Sequence, residues 1–136
     1  MSLIPESHKD LLEKAVVISL VTVMPDGDPQ VTPVWCDLLD GHIRVNTARG
    51  RQKDHNLHER PIVAVLAVDP TNPMRWIEVR GEVVGENDDQ TAARAHISLL
   101  SGIYRNKPDY FEGNERALKE TRVIYTIRPT KVNTSG

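Results

Sequence analysis

Three cations stand on alternate positions in the stretch NTARGRQKDHNL, residues 46–57: Arg49, Arg51 and Lys53. The chemistry they offer is anion binding. The segment follows a short strand-like run and reads as the start of a helix. Backbone N–H groups are unpaired there and the helix dipole is partly positive. Cations at such a place add roughly 0.3–1 kcal/mol of unfavourable interaction per exposed charge. A phosphate resting on the helix start reverses the sign. Thr47 adds a hydroxyl donor, and Gly50 adds a backbone that a ligand can approach closely. The stretch alone leaves a second reading open, a solvated basic cluster paired with Asp54 and Glu59.

Other residues of reactive type point less sharply to chemistry. His55 and His58 lie three apart on the same expected helix, but zinc needs three or four ligands and no others stand at a suggestive spacing, so they read as surface histidines. Cys36 sits in a strand with no evident base beside it and reads as a core thiol. His96 reads as a helix-surface or satisfied residue and not as a catalyst. Asp26-Gly27-Asp28 is too short for a calcium loop and reads as a turn. Trp35 reads as a core or interface aromatic, and Trp76, in polar company, as core or as a pocket or interface residue.

The elements that must position these residues are mostly strands. Residues 16–24 form a β-branched apolar run, and PDGDP (25–29) is a turn. Residues 30–39 resume as a strand in which Pro33 cannot donate to a ladder, so this strand has an edge, a bulge or a ligand beside it. Asp40-Gly41 turns the chain into 42–47, where Ile43 and Val45 share one face and Arg44 and Asn46 the other. A short helix over 50–60 ends at Pro61. Further strands are expected over 62–68, 74–86 and 122–132, with Gly81 marking a bulge or a close backbone approach. Helices are expected over 5–15, capped by Ser7, and over 88–105, started by Asp88 or Asp89 with a stripe of Ala93, Ile97, Leu100 and Tyr104. About six strands joined by tight turns indicate an antiparallel meander. Strands apolar on both faces must be covered by helices or a partner subunit, or closed into a barrel.

The 136-residue chain is expected to be a single domain, residues 1–136. Its net charge of -2 argues against general nucleic-acid binding. One cysteine excludes an intrachain disulfide and fits a reducing cytoplasm. No apolar run approaches a membrane span, and MSLIPESHKDLLEK is not expected to be a signal peptide.

The ordered set VTVMPDGDPQVTPVWC, DGHIRVNTARGRQKDHNLHERPIVAV, DPTNPMRWIEVRGEV and RVIYTIRP resembles the pyridoxamine-5′-phosphate-oxidase-like split β-barrel flavoproteins. Within them it is most similar to the branch that uses the deazaflavin coenzyme F420. The resemblance spans residues 8–132. It implies a mainly β fold, a six-stranded antiparallel split barrel with flanking helices, and a homodimer with two cofactor sites at the subunit interface. It also implies that Thr47, Arg51 and Lys53 bind the cofactor phosphate, with Arg49 and Asn56 next. Gln30, Val31, Thr32, Pro33 and Val34 would run beside the tricyclic ring. Trp76 and Arg80 would belong to the same region, reached across the dimer. The implied activity is hydride transfer from the reduced deazaflavin to a small unsaturated organic substrate, with no protein nucleophile. FMN is the alternative cofactor. A non-catalytic carrier of a flavin or a tetrapyrrole, and a structural domain that binds neither, are the alternatives to an enzyme. The chain ends at PTKVNTSG without the longer substrate-binding segment of a true pyridoxamine-phosphate oxidase, so formation of pyridoxal phosphate is not expected.

Overall fold

The computed structural model describes residues 3–136. Seven antiparallel strands form one curled sheet: β1 (Ile18–Val23), β2 (Pro29–Val34), β3 (Cys36–Leu39), β4 (His42–Ala48), β5 (Ile62–Asp69), β6 (Asn72–Asn87) and β7 (Arg122–Ser135). Their order is β2-β1-β5-β6-β7-β4-β3. This is the split-barrel architecture, mainly β with flanking helices. The helices are α1 (Asp10–Glu13), α2 (Gln52–Glu59), α3 (Gln90–Arg105) and α4 (Glu115–Leu118). Among the described residues no helix is long and apolar enough to cross a membrane.

The strand count is seven instead of six because the run 30–39 is two strands. β2 pairs with β1 and β3 pairs with β4, at opposite ends of the sheet. The chain crosses between those ends at Trp35. Tyr104 of α3 holds the crossing: its hydroxyl accepts from the Cys36 N–H at 3.1 Å and donates to the Val16 carbonyl at 2.8 Å. The Trp35 ring stacks on Tyr104 with centroids 5.2 Å apart. A backbone N–H turned toward a helix side chain is lost to the ladder, so the strand stops there.

β2 is an edge strand, one of the three settings that Pro33 allows. Pro29 faces Val23 and Pro33 faces Ser19 across the pair. Neither proline can donate to β1, so both nitrogens face the free edge.

Alternation sorts the side chains. Ile18 and Leu20 of β1, Ile43 and Val45 of β4, Val65 of β5, Ile77 and Val79 of β6, and Tyr125 and Ile127 of β7 fill the interior. Leu11 and Leu12 of α1 and Leu57 of α2 complete it. The expected helix over 5–15 shrinks to a 3-10 turn, Glu6–His8, followed by α1. Ser7 does not cap it; its hydroxyl pairs with His8 at 2.8 Å. The Asp10 carboxylate is taken by Arg75 of β6 instead. α3 begins as its sequence indicates, with the Asp89 carboxylate accepting from the Ala92 N–H at 3.1 Å. α4 is an element that the turn-rich sequence after Asn106 did not announce.

β6 is bent by register shifts at Arg80/Gly81 and Val83/Gly85. Gly81 marks both a bulge and a close approach: a Cβ there would lie 2.7 Å from the Arg128 carbonyl oxygen. Backbone cannot yield as a flexible side chain would. Gly81→Ala should therefore destabilise the fold by about 1–3 kcal/mol. Urea unfolding checks this, and a loss below about 0.5 kcal/mol, the ordinary surface range, refutes the close approach.

Candidate functional site

A cavity of about 490 Å³ opens beside the Trp35 crossing. One wall is apolar and aromatic: Val17 just before β1, Pro33 and Val34 at the end of β2, Trp35 at the crossing, Ile97 and Leu100 from α3, and Tyr110 from the loop after α3. The other carries five cations, Arg51, Lys53, Arg105, Arg116 and Arg122, with Asn46 and Asn114, and no carboxylate. Glu120 stands behind two of them, 2.9 Å from Arg51 and 3.2 Å from Arg122. Burial depresses the pKa of Lys53, and the Arg51 and Arg122 charges depress it further. Burial also lowers that of Arg122, whose side chain is only 3% exposed. Charges gathered and half desolvated in this way are costly unless an anion joins them.

Each cation has a structural reason for its place. Arg51 is the N-cap position of α2, and Lys53 lies in its first turn. Arg105 closes α3, where a cation suits the dipole. Arg116 lies in α4, and Arg122 opens β7. Aromatic faces help hold two of them: the Arg105 guanidinium sits 5.1 Å from the Trp35 ring centroid, and that of Arg122 5.5 Å from Tyr110.

Of the residues singled out in the sequence, Arg51, Lys53, Pro33 and Val34 line this cavity. Arg49 turns the other way. It meets Asp54 at 2.9 Å, Glu86 at 2.8 Å and Asp88 at 3.1 Å, so three carboxylates hold it away from the cavity. Thr47 shares the interior parity of Ile43 and Val45 and is 1% exposed; its hydroxyl has no partner among the described residues. Asn56 is fully buried. Its amide donates to Thr22 at 3.0 Å and Gln30 at 3.4 Å, and accepts from Gln52 at 2.8 Å, which ties α2 to β1 and β2. Val31 is 63% exposed on the outer face of β2, and Thr32 pairs with Leu20. Trp76 and Arg80 stand on the outer side of β6, where Arg80 bonds Glu78 at 2.9 Å.

Sequence reasoning missed Arg105, Arg116, Arg122, Tyr110 and Asn114, and it gave Trp35 no cavity role. Arg105 at a helix end and Arg116 in a polar stretch carry no signal of their own. Arg122 carried one, a cation at the head of an apolar strand. Asn46 carried another through its parity opposite Ile43 and Val45.

The remaining reactive residues are accounted for. Burial pushes the Cys36 thiol up to about 12, and it donates to the Leu12 carbonyl. His58 pairs with Glu86. His96 is 4% exposed and pairs with Asp37 at 3.0 Å. Burial opposes charge on Asp37, but His96 and Arg44 outweigh it and hold its carboxyl below the ordinary range. Among the described residues no group of three His, Cys, Asp or Glu is placed to hold a metal ion.

Asp54 settles much of the electrostatic awkwardness at the start of α2. It accepts from the Gly50 N–H at 3.0 Å, the Tyr125 hydroxyl at 2.6 Å and Arg49. Burial raises its pKa, yet the Tyr125, Gly50 and Arg49 bonds prevail and lower it. A depressed folded-state value means stabilisation that is present above the unfolded carboxylate range and lost as pH falls through the folded value. Asp54→Asn should thus cost about 1–3 kcal/mol at neutral pH. The gap to the native protein should narrow below about pH 4. Denaturation across pH 3–7 measures it; a gap that stays constant contradicts the assignment.

No curated protein matches the sequence significantly. The family described as pyridoxamine 5′-phosphate oxidase matches residues 4–136. Among solved structures, the chain is similar to one described as an F420 reductase, at 34% identity and a TM-score of 0.80, over 96% of this chain and 98% of that one. It shares its fold with a conserved hypothetical protein from Mycobacterium tuberculosis, at 22% identity and a TM-score of 0.77, over 98% and 86% of the two chains. HupZ from Group A Streptococcus is alike in fold at 16% identity and a TM-score of 0.71, over 97% and 94%. The match along nearly the whole chain, on a split barrel with a cationic cavity, means that the chain belongs to the pyridoxamine 5′-phosphate oxidase family.

Proposed function

We propose that the protein is an oxidoreductase that uses the deazaflavin coenzyme F420 to transfer a hydride to a small unsaturated organic substrate. The observation that carries this reading is the cavity itself: five cations without a lining carboxylate, facing an aromatic and apolar wall. That donor set fits a cofactor with an anionic tail and a flat ring. Family membership and the 34% identity to a protein described as an F420 reductase support the deazaflavin.

Arg51, Lys53 and Arg122 would hold the phosphate through charge-assisted hydrogen bonds. Pro33, Val34 and Trp35 would flank the ring and exclude water. When bound, the reduced deazaflavin supplies the hydride. The chain's part is anchoring, orientation and shielding. FMN is the second reading, because its phosphate suits the same cations. A cytoplasmic setting belongs to the proposal and agrees with a single, buried thiol.

A homodimer is also part of this reading. The outer face of β2 and β5 leaves Val31, Ile62, Leu66 and Val68 exposed at 63%, 65%, 38% and 37%. An apolar sheet face of this kind suits burial against a second copy. Trp76 lies opposite Val68 and Arg80 opposite Ala64, on the same face. From there they would reach the partner's cavity.

Replacing Arg51 and Lys53 together with alanine should weaken cofactor binding by two orders of magnitude or more, at about 1.5–3 kcal/mol per charged contact. Quenching of deazaflavin fluorescence measures it, and an unchanged Kd in a folded variant rejects the phosphate role. A purified protein that is yellow with bound flavin favours FMN instead. Leu66→Glu with Val31→Glu should convert the dimer to a monomer in sedimentation velocity. A native protein that already sediments as a monomer removes the dimer from the reading.

A further inference from the structure

A buried chain of side chains runs from α3 and β3 to the cavity wall. Arg122 lines the cavity, and its Nε–H donates to Asn46 Oδ1 at 2.8 Å. Asn46 Nδ2 donates to the Ala93 carbonyl at 2.9 Å and lies 3.1 Å from His96 Nδ1. His96 Nε2 lies 3.0 Å from Asp37 Oδ1. Asp37 is held in turn by both Arg44 donors, Nε at 3.1 Å and Nη2.

The donors and acceptors fix one another. The Ala93 carbonyl accepts only, so the Asn46 NH₂ must face it. The Arg122 Nε–H donates only, so the Asn46 oxygen must face that. The second amide hydrogen then points at His96 Nδ1, which must be an unprotonated acceptor. The imidazole proton therefore sits on Nε2, facing the Asp37 carboxylate. The opposite tautomer would set two donors against each other at Nδ1. Turning the amide to relieve that would break the bonds to Ala93 and Arg122 together.

We infer that His96 is a positioning residue for the cavity, acting with Asp37 to lock the Asn46 amide and, through it, the Arg122 guanidinium. The need for a lock follows from the charges around Arg122. Glu120 holds its Nη1 from one side and Arg51 repels it. With Nε and Nη1 engaged, none of the described residues accepts from Nη2, which remains for an anion in the cavity. A fixed planar fork binds such an anion better than a mobile one, because less freedom is lost on binding. The inference rests on reading the cavity as an anion site, although not on which cofactor fills it.

Two measurements test it. Histidine side-chain ¹⁵N spectra of the native protein near neutral pH should show His96 protonated at Nε2 and bare at Nδ1. A proton on Nδ1 overturns the inference without any variant. Next, titrate inorganic phosphate into His96→Gln and His96→Leu. Glutamine can still donate toward Asp37 and accept from Asn46, so it should hold affinity within about twofold and leave the Arg122 Nε–H resonance protected from exchange. Leucine should weaken phosphate binding roughly tenfold, as loss of a supporting partner commonly does, and expose that resonance. Adding Asn46→Ala to His96→Leu should cost little more, since the two act through one another. Equal behaviour of the glutamine and leucine variants refutes positioning by hydrogen bonds. Failure of the native protein to bind phosphate while the tautomer holds refutes the anion site and leaves the side-chain chain as a structural brace.

Discussion

The chain's crossing from one end of the sheet to the other, in the single residue Trp35, is the constraint on which the cavity depends. Without it, β2 and β3 would be one strand, and the two ends of the sheet would not meet. The Tyr104 hydroxyl fixes the crossing by bonding both Cys36 and Val16. That bond also sets the distance of α3 from the barrel. Ile97, Leu100 and Arg105 reach the cavity from that helix. A single phenol thus links fold closure to the shape of the site.

Around that frame, carboxylates are distributed unevenly. Arg49 has three of them, and it serves the structure by joining β4, α2 and the β6–α3 junction. Arg51 and Arg122 share Glu120, and Lys53 has no acidic partner among the described residues. The basic stretch that looked uniform in sequence is therefore divided by parity and direction. One cation is satisfied inside the protein, and its two neighbours line the cavity, Arg51 with Glu120 behind it and Lys53 with no acidic partner among the described residues. The anion site proposed for the cavity rests on this division more than on the number of charges.

The alternation of Ile43, Val45, Arg44 and Asn46 was legible in the sequence, as were the Gly81 bulge and the α3 stripe, and an edge was one of the settings Pro33 allowed. All of these are local patterns governed by one period or one residue's geometry. Arg51, Lys53, Pro33 and Val34, all singled out in the sequence, line the cavity, the first two marked there by charge at a helix start. The Trp35 break was not legible, because its cause is a hydroxyl sixty-nine positions away. Arg105, Arg116 and Tyr110 were illegible for the same reason: they join the site only through the packing of α3. Thr47 shares the parity of Ile43 and Val45, so its side chain points to the interior and does not line the cavity. Asn56 and Gln30 were close to the site in sequence terms, but their amides are spent on each other and on Thr22.

Pro29 and Pro33 bear on how copies of this barrel can meet. A strand edge that lacks two of its donors is a poor template for another strand, so growth by edge-to-edge pairing is discouraged. In the proposed dimer, contact would be left to the apolar outer face of β2 and β5. A face that meets its own copy about a twofold axis is used up on both sides at once, and such an assembly stops at a pair instead of extending into a fibre.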